Sequence, residues 1–212
     1  MLEDFIWIGK DLFESHLVDS HGGNMSIRDG DSIFITKRDV MLGHLKEDDI
    51  IKVSLMVEEG DKRASRDVNI HRAIYKNTNA SAIIHAHPPY AIALSITEGK
   101  IIPQDSEGQF LIKSVPVVKV REPIGSEEVA KLLPPIFASN YVIAVVARHG
   151  SIAASSSLEE AYKYTSCLEN SCKIITILKR IEVRPEKVER RPAIPPSIGV
   201  MGRTYRRHEG KR

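Results

Sequence analysis

The sequence predicts an α/β layered domain, and three observations lead there. Short β-branched apolar runs alternate with segments of helical period along most of the chain. Two of these runs flank Asp29-Gly30, a hairpin-turn signal. The clearest helical segment opens at Ser157, where Ser157 and Glu160 have capping-box spacing. The chain of 212 residues is 42% hydrophobic and 27% charged, which suits one domain with its own apolar core.

Phe5, Ile8 and Leu12 recur at helical spacing behind Asp4, the expected N-cap of a helix over residues 4–17. Gly22-Gly23-Asn24 is a turn, and strands follow over Met25–Arg28 and Ser32–Thr36. Residues 50–57 form another strand, ended by Glu58-Glu59-Gly60-Asp61. A helix over Asp67–Asn77 sets Val68, His71, Ile74 and Tyr75 on neighbouring faces. The strand Ser81–His87 stops at Pro88-Pro89, and these prolines fit the first turn of a helix over Tyr90–Ile96, where no intrahelical N–H is needed. Val115–Val120 is a strand, Ser126–Leu133 begins a helix, and Val142–Ala147 is a strand buried on both faces. From Ser157 onward Ala161, Thr165, Leu168, Cys172, Ile175 and Leu178 make one apolar stripe. Beyond Arg180 the period fails, and Pro185, Pro192, Pro195 and Pro196 give an extended tail. The domain is expected over residues 1–183, with residues 184–212 as a basic tail that packs on a neighbouring subunit or stays solvated.

The net charge of +2 is a cancellation: Arg184 to Arg212 sums to +6 and residues 1–183 to −4. An acidic body excludes a dedicated nucleic-acid binder, and the tail lacks the interleaved aromatics that stack on bases. The longest apolar run, Tyr141–Ala147, is too short to span a bilayer, and the acidic N-terminal stretch does not read as a secretory signal. Cys167 and Cys172, five apart on one helix, point in different directions, so no mutual disulfide and a cytoplasmic setting are expected.

His85 and His87, in AIIHAHPP, share a strand face by the period of two and can reach one metal ion. The alternative is a pair of hydrogen-bonded core histidines. His149 ends the run VIAVVARHG, and Gly150 after it permits a turn that aims the ring toward the same rim. His16, His21, His44 and His208 read as structural or solvated. Asp67 is the nearest acid before this pair, with a bland reading as helix cap and a sharper one as fourth metal ligand or proton-transfer group. The glycine turn likewise reads as a plain loop or as backbone N–H groups that hold an anion.

Three segments, GGNMSIRDGDSIFIT, DVNIHRAIYKNTNASAIIHAHPPYAIALS and VVARHGSIAASSSLEEAYKYTSCLE, follow one another as in the zinc-dependent class II aldolase/epimerase superfamily. The resemblance runs from about residue 5 to residue 180. It implies a three-layer fold with a mainly antiparallel sheet covered by helices on both sides, and a homotetramer with active sites between subunits. It implies that His85, His87 and His149 bind one Zn2+, or another divalent transition metal, per chain. Gly23, Asn24, Thr36 and Ser65 fall where relatives hold a substrate phosphate. Lys37-Arg38-Asp39 and Arg66 depart from the family's phosphate loop, and Arg38 and Arg66 are the residues able to pair with an anion. Asp67 stands where aldolases of the family have a catalytic glutamate and the 4-epimerase an aspartate. Relatives also close the site with a C-terminal tyrosine of a neighbouring subunit, for which Tyr205 is the candidate; its alternative is a tail aromatic with no role there. The implied activity is retro-aldol cleavage of a ketose phosphate, like that of fuculose-1-phosphate aldolase, with the zinc stabilising the enediolate. Pentulose-phosphate 4-epimerisation is the alternative, and a non-catalytic binding protein on the same fold ranks below both.

Overall fold

The computed structural model describes residues 1–56 and 62–181. The strands are β1 (Asn24–Asp29), β2 (Ser32–Thr36), β3 (Ile50–Ser54), β4 (Ala82–Ala86), β5 (Lys100–Ile101), β6 (Val115–Val118), β7 (Ile143–Val146) and β8 (Gly150–Ser155). The helices are α1 (Leu2–Glu14), α2 (Val68–Asn77), α3 (Pro89–Thr97), α4 (Ser106–Leu111), α5 (Glu127–Ala138) and α6 (Leu158–Arg180). All eight strands form one sheet in the order β3-β2-β1-β4-β8-β7-β6-β5. Among the described residues only β6 and β7 pair in parallel; the other neighbours are antiparallel.

Strand alternation builds the layers. In β4, Ala82, Ile84 and Ala86 join Phe5, Ile8 and Leu12 of α1 and Ala161, Leu168 and Cys172 of α6 in one core. Ile83 points the other way, to Ile70 and Ile74 of α2 and Val129 and Leu133 of α5. His85 shares the Ile83 face by the same alternation. The expected three layers, with a mainly antiparallel sheet between helices, are present.

Several local expectations are corrected. Helix α1 begins at Leu2 with Met1 as its cap residue, so Asp4 lies in the first turn, 3.1 Å from the N-terminal amine. Asp67 occupies the cap position of α2 but its side chain makes no cap hydrogen bond. The Ser157 hydroxyl accepts from the Glu160 N–H at 3.1 Å, as expected of a cap. The return half of the capping box is missing, because the Glu160 carboxylate accepts from the hydroxyls of Ser155, Ser156 and Tyr164. Those hydroxyls, Ser155 first, hold Glu160 down to about 2. Strand β8 was not expected, since Gly150, Ser151, Ala153 and Ala154 are poor strand formers. Pairing on both sides, with β4 and β7, overrides that weak propensity. The short β5 and α4 were likewise not foreseen.

Two buried polar groups have measurable consequences. The Glu169 side chain reaches from α6 to the start of α3, accepting from the N–H groups of Tyr90 and Ala91 at 3.1 Å. Pro88 and Pro89 have no N–H, so this carboxylate serves the first donors that α3 possesses. Replacing Glu169 by alanine leaves both donors unpaired beneath α6. A loss of about 2–4 kcal/mol in urea unfolding is expected, with Glu169→Gln retaining part of it. His71, on α2, is fully buried and bonds the Ser26 hydroxyl through Nδ1 at 2.7 Å; that hydroxyl also meets Tyr75 Oη at 2.8 Å. Burial lowers the His71 pKa from 6.5 to about 4, with Asp67 opposing. The unfolded chain therefore takes up a proton near pH 6.5 that the folded chain refuses until about pH 4. Stability is full above the unfolded value, and about 3 kcal/mol of it is lost across that window as the pH falls. The His71→Gln variant keeps a polar partner for Ser26 without a titrating ring. Its unfolding free energy is expected to fall less steeply between those pH values.

Candidate metal centre and active site

Three turns bring the histidines together at one end of the sheet. His85 is the fourth residue of β4 and His87 follows just beyond its end. Register places His85 opposite Asn24 of β1 and Ile152 of β8. His149 sits in the tight turn between β7 and β8, closed by its own N–H donating to Val146 O at 3.1 Å. The residue with positive φ in that turn is Arg148 at 63°, not Gly150 as the sequence suggested. Gly150 is needed for space instead: a Cβ there would lie 2.3 Å from Ala86 O and 2.9 Å from the His85 ring. Gly22 plays the same part on the far side, where a Cβ would lie 2.6 Å from His87 Nδ1. The glycines let two imidazoles pack against bare backbone.

The ligand-capable atoms of His85, His87 and His149 lie within 4.8 Å of one another, with the His85 and His87 Nε2 atoms 3.0 Å apart. About 3.3 Å separates nitrogens around a tetrahedral ion at metal–nitrogen distances near 2 Å, so the cluster fits such an ion. The His85 Nδ1 meets the Ser151 carbonyl at 3.0 Å. A carbonyl only accepts, so Nδ1 bears the proton and Nε2 presents a lone pair to the cluster. Burial lowers the pKa of all three rings, against the pull of nearby Asp67, which keeps them in the neutral form that ligates.

Asp67 stands beside this cluster, Oδ2 3.7 Å from His85 Nε2, and is only 5% exposed. Its Oδ2 accepts from Asn24 Nδ2 at 2.7 Å and its Oδ1 from the Gly125 N–H at 3.0 Å. Burial opposes its charge, but the His85 ring and the Asn24 amide outweigh burial and hold the pKa below the usual value. The cap reading of Asp67 is excluded; the carboxylate faces the three-histidine cluster.

The rings open into a pocket of about 210 Å³ whose walls include Gly23, Asn24, Arg38, Ser65 and Arg66. Five of the six expected anion-site residues therefore converge. Thr36 does not: it is fully buried, and its hydroxyl accepts from the Met25 N–H at 3.2 Å. Lys37 lines the pocket in its place. The Gly22 N–H is taken by Asp19 Oδ1 at 2.6 Å, so that donor serves the loop. Asn24 Oδ1 is buried and has no partner among the described residues. Sequence reasoning missed Ile124 and Gly125, from a loop distant in the chain, because a backbone N–H leaves no side-chain signal. It read His21 as structural or solvated; His21 is exposed and also lines the pocket. Tyr205 lies outside the described residues.

Residues 3–176 match the family model described as the class II aldolase and adducin N-terminal domain. The chain belongs to that family. A class II aldolase relative from Methanococcus maripaludis, an L-fuculose phosphate aldolase, is 30% identical over 85% of this chain and 99% of its own length. A 3-oxo-tetronate 4-phosphate decarboxylase from Pectobacterium atrosepticum is 31% identical over 85% of this chain and 86% of its own. Among solved structures, the L-fuculose-1-phosphate aldolase of Thermus thermophilus superposes with a TM-score of 0.82 at 30% identity, covering 85% of this chain and 95% of that one. This class II aldolase chain thus shares both fold and full domain length with sugar-phosphate lyases.

Proposed function

We propose that the protein cleaves a ketose 1-phosphate of the L-fuculose 1-phosphate kind into dihydroxyacetone phosphate and an aldehyde. The observation supporting this is the buried Asp67 carboxylate set 3.7 Å from His85 in a three-histidine cluster. The ion assigned to that cluster is zinc, which when bound acts as a Lewis acid on carbonyl oxygen as charge develops there. Arg38 and Arg66, with Gly23, Asn24 and Ser65, hold the phosphate end of the substrate in the same pocket. Asp67, whose Oδ2 faces the histidines, moves the proton as the carbon–carbon bond breaks, and the Asn24 and Gly125 donors keep its carboxylate oriented. A homotetramer and a cytoplasmic setting, expected from the sequence, belong to the same proposal. Among the described residues no helix is long and apolar enough to cross a membrane.

A second reading is favoured by the three cations Lys37, Arg38 and Arg66 around one pocket and by the decarboxylase relative. A phosphorylated 3-oxo acid would place its carboxylate among them and lose carbon dioxide in place of an aldehyde. Incubating zinc-loaded protein with L-fuculose 1-phosphate, ribulose 5-phosphate and 3-oxo-tetronate 4-phosphate in separate reactions decides. Dihydroxyacetone phosphate from the first supports the aldolase; epimer from the second or carbon dioxide from the third, without cleavage of the first, overturns it.

A further inference from the structure

Sheet pairing does not fix the three histidines alike. His85 sits inside β4, opposite Asn24 on one side and Ile152 on the other. His149 is set by the turn between β7 and β8, which its own N–H closes. His87 lies past Ala86, the last residue of β4. Its N–H donates to Leu17 O at 2.7 Å. Pro88 and Pro89 come next and have no N–H to offer. The first backbone donors after His87 are therefore those of Tyr90 and Ala91, and both end on the Glu169 carboxylate at 3.1 Å. His87 is held between two ties, Leu17 at its own N–H and Glu169 three residues on. Two prolines of restricted φ make the link between them stiff.

Glu169 is 2% exposed, on a helix whose residues Leu168 and Cys172 belong to the apolar core. A carboxylate in such a layer is costly unless it is hydrogen-bonded. Burial raises its pKa, and the Tyr90 and Ala91 N–H groups and Lys173 act against that rise. Lys173, one turn on, sets its Nζ 5.9 Å over the Tyr90 ring. Two residues of α6 thus grip the residue on which the His87 corner ends. A metal site needs such a grip, because ligand distances must hold to within about 0.2 Å. We propose that Glu169 is a positioning residue for the metal centre. It holds the Pro88-Pro89 corner so that the His87 imidazole stays in reach of an ion shared with His85 and His149. This inference rests on the metal reading above and gives Glu169 a task beyond serving the first donors of α3.

The test is zinc affinity of the full chain, by competition with a chromophoric chelator, together with the visible spectrum of the cobalt(II)-loaded protein. Glu169→Ala is expected to bind zinc about 10- to 100-fold more weakly, the range typical when a contact behind a ligand is lost. Its cobalt bands should shift, since they report coordination geometry. Glu169→Gln keeps an acceptor for both donors and should recover most of the affinity. Ile33→Ala controls for lost stability alone: Ile33 is fully buried in β2, near the end of β1 opposite Asn24. That variant should bind zinc as the native chain does. Coupling between two sites is reciprocal, so zinc should slow amide hydrogen exchange at Tyr90 and Ala91 of the native chain more than in β2. This comparison decides if the alanine variant does not fold. Equal zinc affinity of the native and Glu169→Ala chains overturns the proposal, as does an equal loss in Ile33→Ala. Exchange at Tyr90 and Ala91 that zinc slows no more than in β2 overturns it too. A native chain that takes up no zinc would sink the metal reading itself, and this inference with it.

Discussion

The Asp67→Asn variant is expected to lose about 10²- to 10⁴-fold in kcat/KM while holding as much metal as the native chain. The substitution is nearly isosteric, and the native contacts show how the pocket absorbs it. Its carbonyl oxygen can go on accepting from the Gly125 N–H. Its NH2 replaces the oxygen that now accepts from Asn24 Nδ2. The Asn24 amide can turn over and offer Oδ1, which has no partner among the described residues. Shape and hydrogen bonding persist, and only the capacity to take a proton goes. Asp67→Ala strands the Gly125 and Asn24 donors and should cost about 1–3 kcal/mol of stability besides activity. Steady-state cleavage with metal analysis on the same samples separates the two roles of Asp67. Metal lost in step with activity would make it a ligand.

Removing the metal has the other large effect. Chelation is expected to lower turnover by at least about 10³-fold, because Lewis-acid stabilisation is worth several kcal/mol and each 1.36 kcal/mol is tenfold. One equivalent of zinc should restore it. The ion should also stabilise the fold, by about 2.7 kcal/mol at a hundred times its dissociation constant, so Tm falls on chelation. His85→Ala should be worse than His149→Ala for stability. The His85 ring is 2% exposed and also serves the Ser151 carbonyl, while His149 is only half-buried. Thermal melts of both variants with and without chelator check the order, and turnover indifferent to chelation would count against a metal-dependent aldolase.

Much of this was legible from residue order, and the exceptions have physical causes. The period of two put His85 and His87 on one face; in β4, Ala82, Ile84 and Ala86 face one core and Ile83 the other, and the two imidazoles meet. The Ser157 cap and the Asp29-Gly30 hairpin were equally local signals, and both formed. Strand β8 was hidden because its identity as a strand lies in its neighbours, not in Gly150, Ser151 or Ala153. Gly125 was hidden because what it contributes is an N–H, a group every residue but proline shares. Thr36 misled for a related reason: its hydroxyl has a choice of partners, and the Met25 N–H took it away from the pocket. The family resemblance supplied the metal and the layer order. It did not foretell that the Asn24 amide would be spent on Asp67.

The route by which the sheet is joined also sets when the site comes into being. Asn24 meets His85 across the β1–β4 pair, and His85 meets Ile152 across the β4–β8 pair. Both pairings close long stretches of chain, unlike the β1–β2 hairpin, and non-local pairings are the slow part of folding. The imidazole cluster is therefore a late product of assembly. A metal ion held by these histidines would therefore seal the finished sheet rather than template the early chain, and the rate of metal uptake after dilution from denaturant would serve as a clock for completion of the central sheet.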